Sequence, residues 1–147
     1  MRKGLANMNS SDTTATAELG LRLVVPERTA VPLVARLDYS AEDPYAIRVA
    51  FHTGEEDPVE WIFARELLTV GIVRPVGEGD VRVWPSKDEH GERNVCISLS
   101  SPFGQAEFDT QVSPLAEFLH RTYEIVPAGQ EAQFVDLDEE IQQHLAS

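Results

Sequence analysis

The sequence predicts an α+β fold: an antiparallel sheet, or two, running as a meander, with one short helix inserted and two C-terminal helices packed on the sheet. Three observations predict it. Apolar and polar residues alternate through four early segments, the period of a half-buried strand. Turn-forming clusters separate those segments at short spacing. Beyond Ser113 the apolar residues switch to helical spacing.

The elements follow in order. Residues 1–17 are small and polar and read as a loose tail before a single domain over 18–147. Leu19, Leu21, Leu23 and Val25 share one face of a first strand, closed by Pro26. Val31, Leu33, Ala35, Leu37 and Tyr39 share a face of the second. Tyr45, Ile47, Val49 and Phe51 mark a third, and Val59, Trp61 and Phe63 a fourth; Tyr45, Trp61 and Phe63 are expected in the core. Ala64–Val70 is helix-like, with Gly71 where a left-handed cap belongs. Residues 77–86, GEGDVRVWPS, resemble a phosphate-gripping loop at first sight. The residues after the glycines alternate as a strand does, however, and Glu78 and Asp80 would repel an anion. The stretch therefore reads as a hairpin turn feeding a strand that Pro85 stops.

Asn94–Ser100 and Gln105–Val112 complete the strands. Ser113 as N-cap and Pro114 in the first turn open a helix whose stripe is Leu115, Phe118, Leu119, Thr122 and Val126. Pro127 ends it. A last short helix is expected from Asp136, with Glu139 completing a capping box and Leu137, Ile141 and Leu145 as its apolar stripe.

The 147 residues suffice for one domain with a real core. The formal net charge of −13 repels nucleic acid and anionic membranes, keeps the chain soluble and favours protein partners. Only Lys3 and Lys87 among the basic residues are lysines, and an arginine bias suits fixed ion pairs. A lone cysteine, Cys96, fits a reducing cytoplasm. The first seven residues start like a signal peptide without the apolar run that should follow, and Met8 is an alternative start.

No catalytic constellation is apparent. His52, His90, His120 and His144 are scattered without ligand spacing, so no metal or cofactor is expected. Cys96 carries none of the signals of a nucleophile. Neither acidic turn, Glu42-Asp43 or Glu55-Glu56-Asp57, has the pattern of a calcium loop. Two features point to binding instead. Arg22, Arg36, Arg48 and Arg82 fall on the faces opposite the apolar ones. The first three would form a row across neighbouring strands, either a single-stranded nucleic-acid face or an ion-pair lattice with Asp38, Glu60, Glu107 and Asp109; the acidic balance favours the lattice. The terminal helix is so short that its stripe Leu137, Ile141 and Leu145 must dock, on its own sheet first or else on another chain, and with Trp84, core or interface, it supplies the candidate partner contacts.

Several segments resemble the SsgA-like proteins of actinobacteria. They are DPYAI at Asp43–Ile47, FHTG at Phe51–Gly54, VEWIFARELL at Val59–Leu68 and GDVRVWPS at Gly79–Ser86. NVCISLSSPFGQA at Asn94–Ala106, FLHRTYEIVPAGQE at Phe118–Glu131 and DLDEE at Asp136–Glu140 follow in order. The likeness covers roughly residues 18–145. Its one departure there is Glu66, where the family usually has aspartate. The opening ELGLRLVV and the closing DLDEE single out one branch of the family. The resemblance implies a non-catalytic role in sporulation-specific cell division, marking the septum site and helping to recruit the tubulin-like protein FtsZ. It implies FtsZ and an SsgA-type paralogue as partners, a location in the cytoplasm at the septum, and a bell-shaped homotrimer with a fold similar to the Whirly-type nucleic-acid binders.

Overall fold

The computed structural model describes residues 9–10, 13–25, 30–52, 57–102 and 104–135. Among the described residues nine strands form one antiparallel sheet. They are β1 (Asn9–Ser10), β2 (Thr14–Leu23), β3 (Val31–Ser40), β4 (Ala46–His52), β5 (Val59–Ala64), β6 (Val76–Glu78), β7 (Val81–Lys87), β8 (Arg93–Ser101) and β9 (Gly104–Gln111). Helix α1 (Arg65–Gly71) joins β5 to β6, and α2 (Val112–Ile125) follows β9. The strand order is β5-β4-β3-β2-β9-β8-β7-β6, with β1 paired to β2. The expected meander is therefore two meanders, β2–β5 and β6–β9.

The two halves meet at a narrow seam. β2 pairs with β3 along its whole length, but with β9 only at Arg22↔Asp109 and Leu23↔Phe108. The Thr110 hydroxyl extends the seam by donating to the Gly20 carbonyl at 2.8 Å. Beyond it the strands part, and α2 fills the gap with Val112, Leu115, Phe118, Leu119 and Thr122 buried. The sheet also curls about this inner face. Phe51 of β4 and Phe108 of β9 stack with centroids 4.7 Å apart, although β3 and β2 lie between them. In a flat sheet those strands would stand about 14 Å apart.

Several expectations change. The strand read as starting at Leu19 begins at Thr14, so Thr14–Ala17 is not tail; Ala15 and Ala17 are buried in the core. Tyr45 is 53% exposed rather than core. It lies in the turn before β4, where the chain has not yet entered the alternation, and Pro44 is buried in its place. Trp61 is half-buried and Phe63 fully so.

Gly71 is not a left-handed cap: it lies within α1, and a Cβ there would collide with the side chain of Val83 on β7. The residue is glycine because helix and sheet touch. Pro85 does not end its strand. β6 stops pairing at Val83, so β7 is an open edge on that side, where proline is tolerated. The helix expected from Ser113 starts at Val112, and Ser113 makes no cap. Residues 131–135 are already helical, ahead of the expected cap at Asp136. The hairpin reading of GEGD holds: Gly79 has φ 61° between β6 and β7.

Candidate interaction surface

The outer face of the β2–β5 half presents the arginines. They sit on separate rungs and not in one row. Arg22 lies opposite Pro32, Arg36 opposite Glu18 and Ala50, and Arg48 opposite Asp38 and Ile62. Arg22 grips Asp109 with two bonds, Nε to Oδ1 at 2.9 Å and Nη2 to Oδ2 at 3.1 Å. Arg36 Nε donates to both carboxylate oxygens of Asp38, at 3.3 and 3.2 Å. Glu60 and Glu107 face Ala50 and Ser98 instead. Arg22 and Arg36, already held by carboxylates, offer a phosphate little net charge.

Trp84 is half-buried on the outer face of β7, opposite Cys96. It borders an open hollow of about 980 Å³ with Arg82, Glu78, Asp80, Ser98 and Gln105. Cys96 lies within 3.3 Å of the Ser86 hydroxyl, and burial pushes its thiol up, away from the range of a nucleophile. Leu137, Ile141 and Leu145 lie outside the described residues. Among the described residues no three His, Cys, Asp or Glu side chains gather as a metal site requires. No helix among them is long and apolar enough to cross a membrane.

On the inner side, α2 covers only one end of the curl. The other end is an apolar groove of about 350 Å³, walled by Leu23, Leu33, Phe51 and Phe108 and, from the edge strand, Val59 and Trp61.

The most constrained polar side chain is Arg65, the first residue of α1, which is only 1% exposed. Nη1 donates to the carbonyls of Thr122 and Val126, both at 2.9 Å, and Nη2 donates to Glu131 Oε2 at 2.8 Å. A cation here meets the Val126 carbonyl beyond the last turn of α2, adds a second donor to the Thr122 carbonyl that already accepts from the Val126 N–H, and faces the negative end of the helix dipole. The guanidinium also lies 3.9 Å from the Tyr123 ring centroid and 5.0 Å from that of Tyr39, both favourable for a cation. Nε is buried without a partner.

The consequences reach its neighbours. The hydrogen bond from Arg65 holds the Glu131 carboxyl below its ordinary value. Burial pushes the Tyr39 phenol up to about 12, against the opposing charge of Arg65. Sequence reasoning placed Arg65 on a helix and gave it no role. The available signal was a cation directly after the apolar run from Trp61 to Ala64.

The family described as Streptomyces sporulation and cell division protein, SsgA, matches residues 33–131. The sporulation-specific cell division protein SsgB of Thermobifida fusca is 68% identical over 95% of this chain and all of its own length. SsgB of Streptomyces coelicolor is 50% identical over 92% of this chain and 98% of its own. A crystal structure of an SsgA-like sporulation-specific cell division protein from Thermobifida fusca superposes with a TM-score of 0.85 at 67% identity, covering 92% of this chain and 99% of that one. The curled antiparallel sheet with its packed helices is thus shared with relatives over almost the full length, and the branch marked by the opening and closing segments is that of SsgB. The chain belongs to the SsgA family and is most like its SsgB members.

Proposed function

We propose that this chain is a non-catalytic adaptor in sporulation-specific cell division, which marks the septum site and recruits or positions FtsZ. The observation that carries the reading is the agreement, nearly end to end, with relatives named sporulation-specific cell division proteins. The physical character of the surface supports it. A net charge of −13, with Arg22 and Arg36 paired to carboxylates, suits association with protein more than with polyanions. The partly open apolar groove supplies the kind of surface a binding module needs.

In this reading the protein works in the cytoplasm at the division septum, without a cofactor. Its partners are FtsZ and an SsgA-type paralogue, and its copies form a trimer. The test is co-sedimentation with the cognate FtsZ assembled with GTP at moderate salt, beside an unrelated acidic protein. Selective pelleting is the expected result. Pelleting no better than the control overturns direct recruitment. Sedimentation velocity checks the trimer separately: a monomer at micromolar concentration removes that part of the reading.

A further inference from the structure

The sheet has two ends, and they are finished differently. At one end β6 is only three residues long and includes Gly77, a short edge of the kind that discourages added strands. At the other end β5 has six residues in unbroken register with β4. No described strand pairs with its far side, so alternate backbone N–H and C=O groups point outward along it. The usual guards are sparse here. The strand holds no lysine and no bulge, its proline lies before it at Pro58, and Glu60 is its single charge. Val59 is 51% exposed and Ile62 59%.

The edge also adjoins the apolar groove. Val59 and Trp61 point from β5 into that groove, which Leu33, Phe51, Leu99 and Phe108 line from the other strands. A strand hydrogen-bonded to β5 would place every second side chain against it, since side chains alternate across a sheet.

We infer that the free edge of β5 and the adjoining groove dock an extended segment of another protein, apolar at alternate positions and basic at one end. The inference rests on the reading that this chain acts by binding protein, and not on which protein it binds. The open backbone sets the conformation, because only an extended strand completes such a ladder. Charge sets the composition: Asp57, Glu60 and Glu66 are exposed along the segment, and its one cation, Arg65, is buried against Glu131. Charge also argues against two other occupants. A second copy docked edge to edge would bring the same exposed acids, Asp57, Glu60 and Glu66, against these. The chain's own C-terminal segment carries Asp136, Asp138, Glu139 and Glu140, and its apolar residues recur every four positions instead of every two.

The test uses the full chain and a labelled synthetic peptide, KRKTVTVTVT, read by fluorescence anisotropy. Two further peptides separate the causes: one with glutamates in place of the basic residues, and one N-methylated at a valine and at the threonine next to it, so that it keeps its side chains and charge but loses a ladder donor on either edge. The basic peptide is expected to bind, and N-methylation and Val59→Lys each to weaken it at least about tenfold, roughly one lost hydrogen bond or apolar contact. Val73→Lys, at a 66% exposed site off the edge, is expected to change nothing beyond screened charge. Should Val59→Lys not melt cooperatively, Ile62→Lys takes its place. No binding up to about millimolar peptide, the weak limit of specific recognition, overturns the inference. So does equal binding of the N-methylated or acidic peptide, or indifference to both edge variants. Concentration-dependent self-association abolished by Val59→Lys also overturns it, by giving the edge to a second copy. None of these outcomes involves FtsZ, so this inference and the recruitment reading fail separately.

Discussion

Arg65 and Arg22 are the same residue put to opposite uses. Arg22 is an outer-face side chain, 53% exposed, that reaches water while its partner Asp109 is 14% exposed. Arg65 is sealed inside, held by two helix-end carbonyls, a carboxylate and two aromatic rings. An exposed pair exchanges one set of solvating partners for another and contributes little. A buried cation has no water to fall back on, so the chain must supply every partner, and losing one is expensive. The comparison teaches that in this fold the interior arginine fixes the geometry. It ties the start of α1 to the end of α2 and to the turn that leads into the C-terminal segment. Arg22 instead clips the β2–β9 seam from the solvent side, and Arg36 pairs with Asp38 on its own strand.

The strongest way to break the comparison is Arg65→Ala. It removes a donor to the Val126 and Thr122 carbonyls, the second of which keeps the Val126 N–H, removes the partner of Glu131, and leaves a void between Tyr39 and Tyr123. A loss of about 3–5 kcal/mol is expected, read as a fall in the urea midpoint. Arg65→Lys keeps the charge but not the planar fork, and should recover only part of it.

Glu131→Gln is the next test and carries a pH signature. It should cost about 1–3 kcal/mol at pH 7, the worth of a hydrogen bond to a charged group. The Glu131 carboxyl is held below its ordinary value of 4.5. Its contribution is therefore complete above that value and is lost as pH falls through the lower, folded one. The gap in stability between the native chain and Glu131→Gln should stay constant from pH 7 to about 5 and close below that. A gap that instead closes between pH 7 and 6 would assign the effect to another group.

Arg22→Ala should have the smallest effect, about 0–1 kcal/mol, and smaller still in high salt. A loss approaching that of Arg65→Ala would erase the distinction. Function sharpens it further. If the outer arginines form a lattice and not a nucleic-acid face, a single-stranded oligonucleotide should not bind even at low salt. Salt-dependent binding lost in an Arg22→Ala, Arg36→Ala, Arg48→Ala variant would reverse that assignment.

Much of this was legible from local pattern. Leu115, Phe118, Leu119, Thr122 and Val126 are all buried as their helical spacing requires, and so are Ala35, Leu37 and Tyr39 of β3 and Ile47, Val49 and Phe51 of β4 at the alternate positions read for them, whereas Val31 and Val59 at the strand starts are exposed. What escaped depends on contacts distant in sequence. Ala15 and Ala17 look like part of a polar tail because alanine carries little apolar signal; burial against the rest of the sheet gives them their place. Gly71 imitates a helix cap, and only the proximity of Val83 explains it. Tyr45 continues an alternation on paper that the turn interrupts in space. The narrow seam between β2 and β9 decides that β5 and β6 become the free edges, and no local pattern encodes it. Arg65 belongs to the same class: its partners lie 57, 61 and 66 residues away along the chain.

The most direct test of the central claim, that the chain acts by holding a protein partner and not through its outward arginines, repeats the FtsZ co-sedimentation with one added variant. The native chain and Arg22→Ala, Arg36→Ala should pellet equally with GTP-assembled FtsZ, both well above an unrelated acidic protein. A native chain that stays in the supernatant, or a double variant that alone fails to pellet while melting like the native chain, would contradict the account.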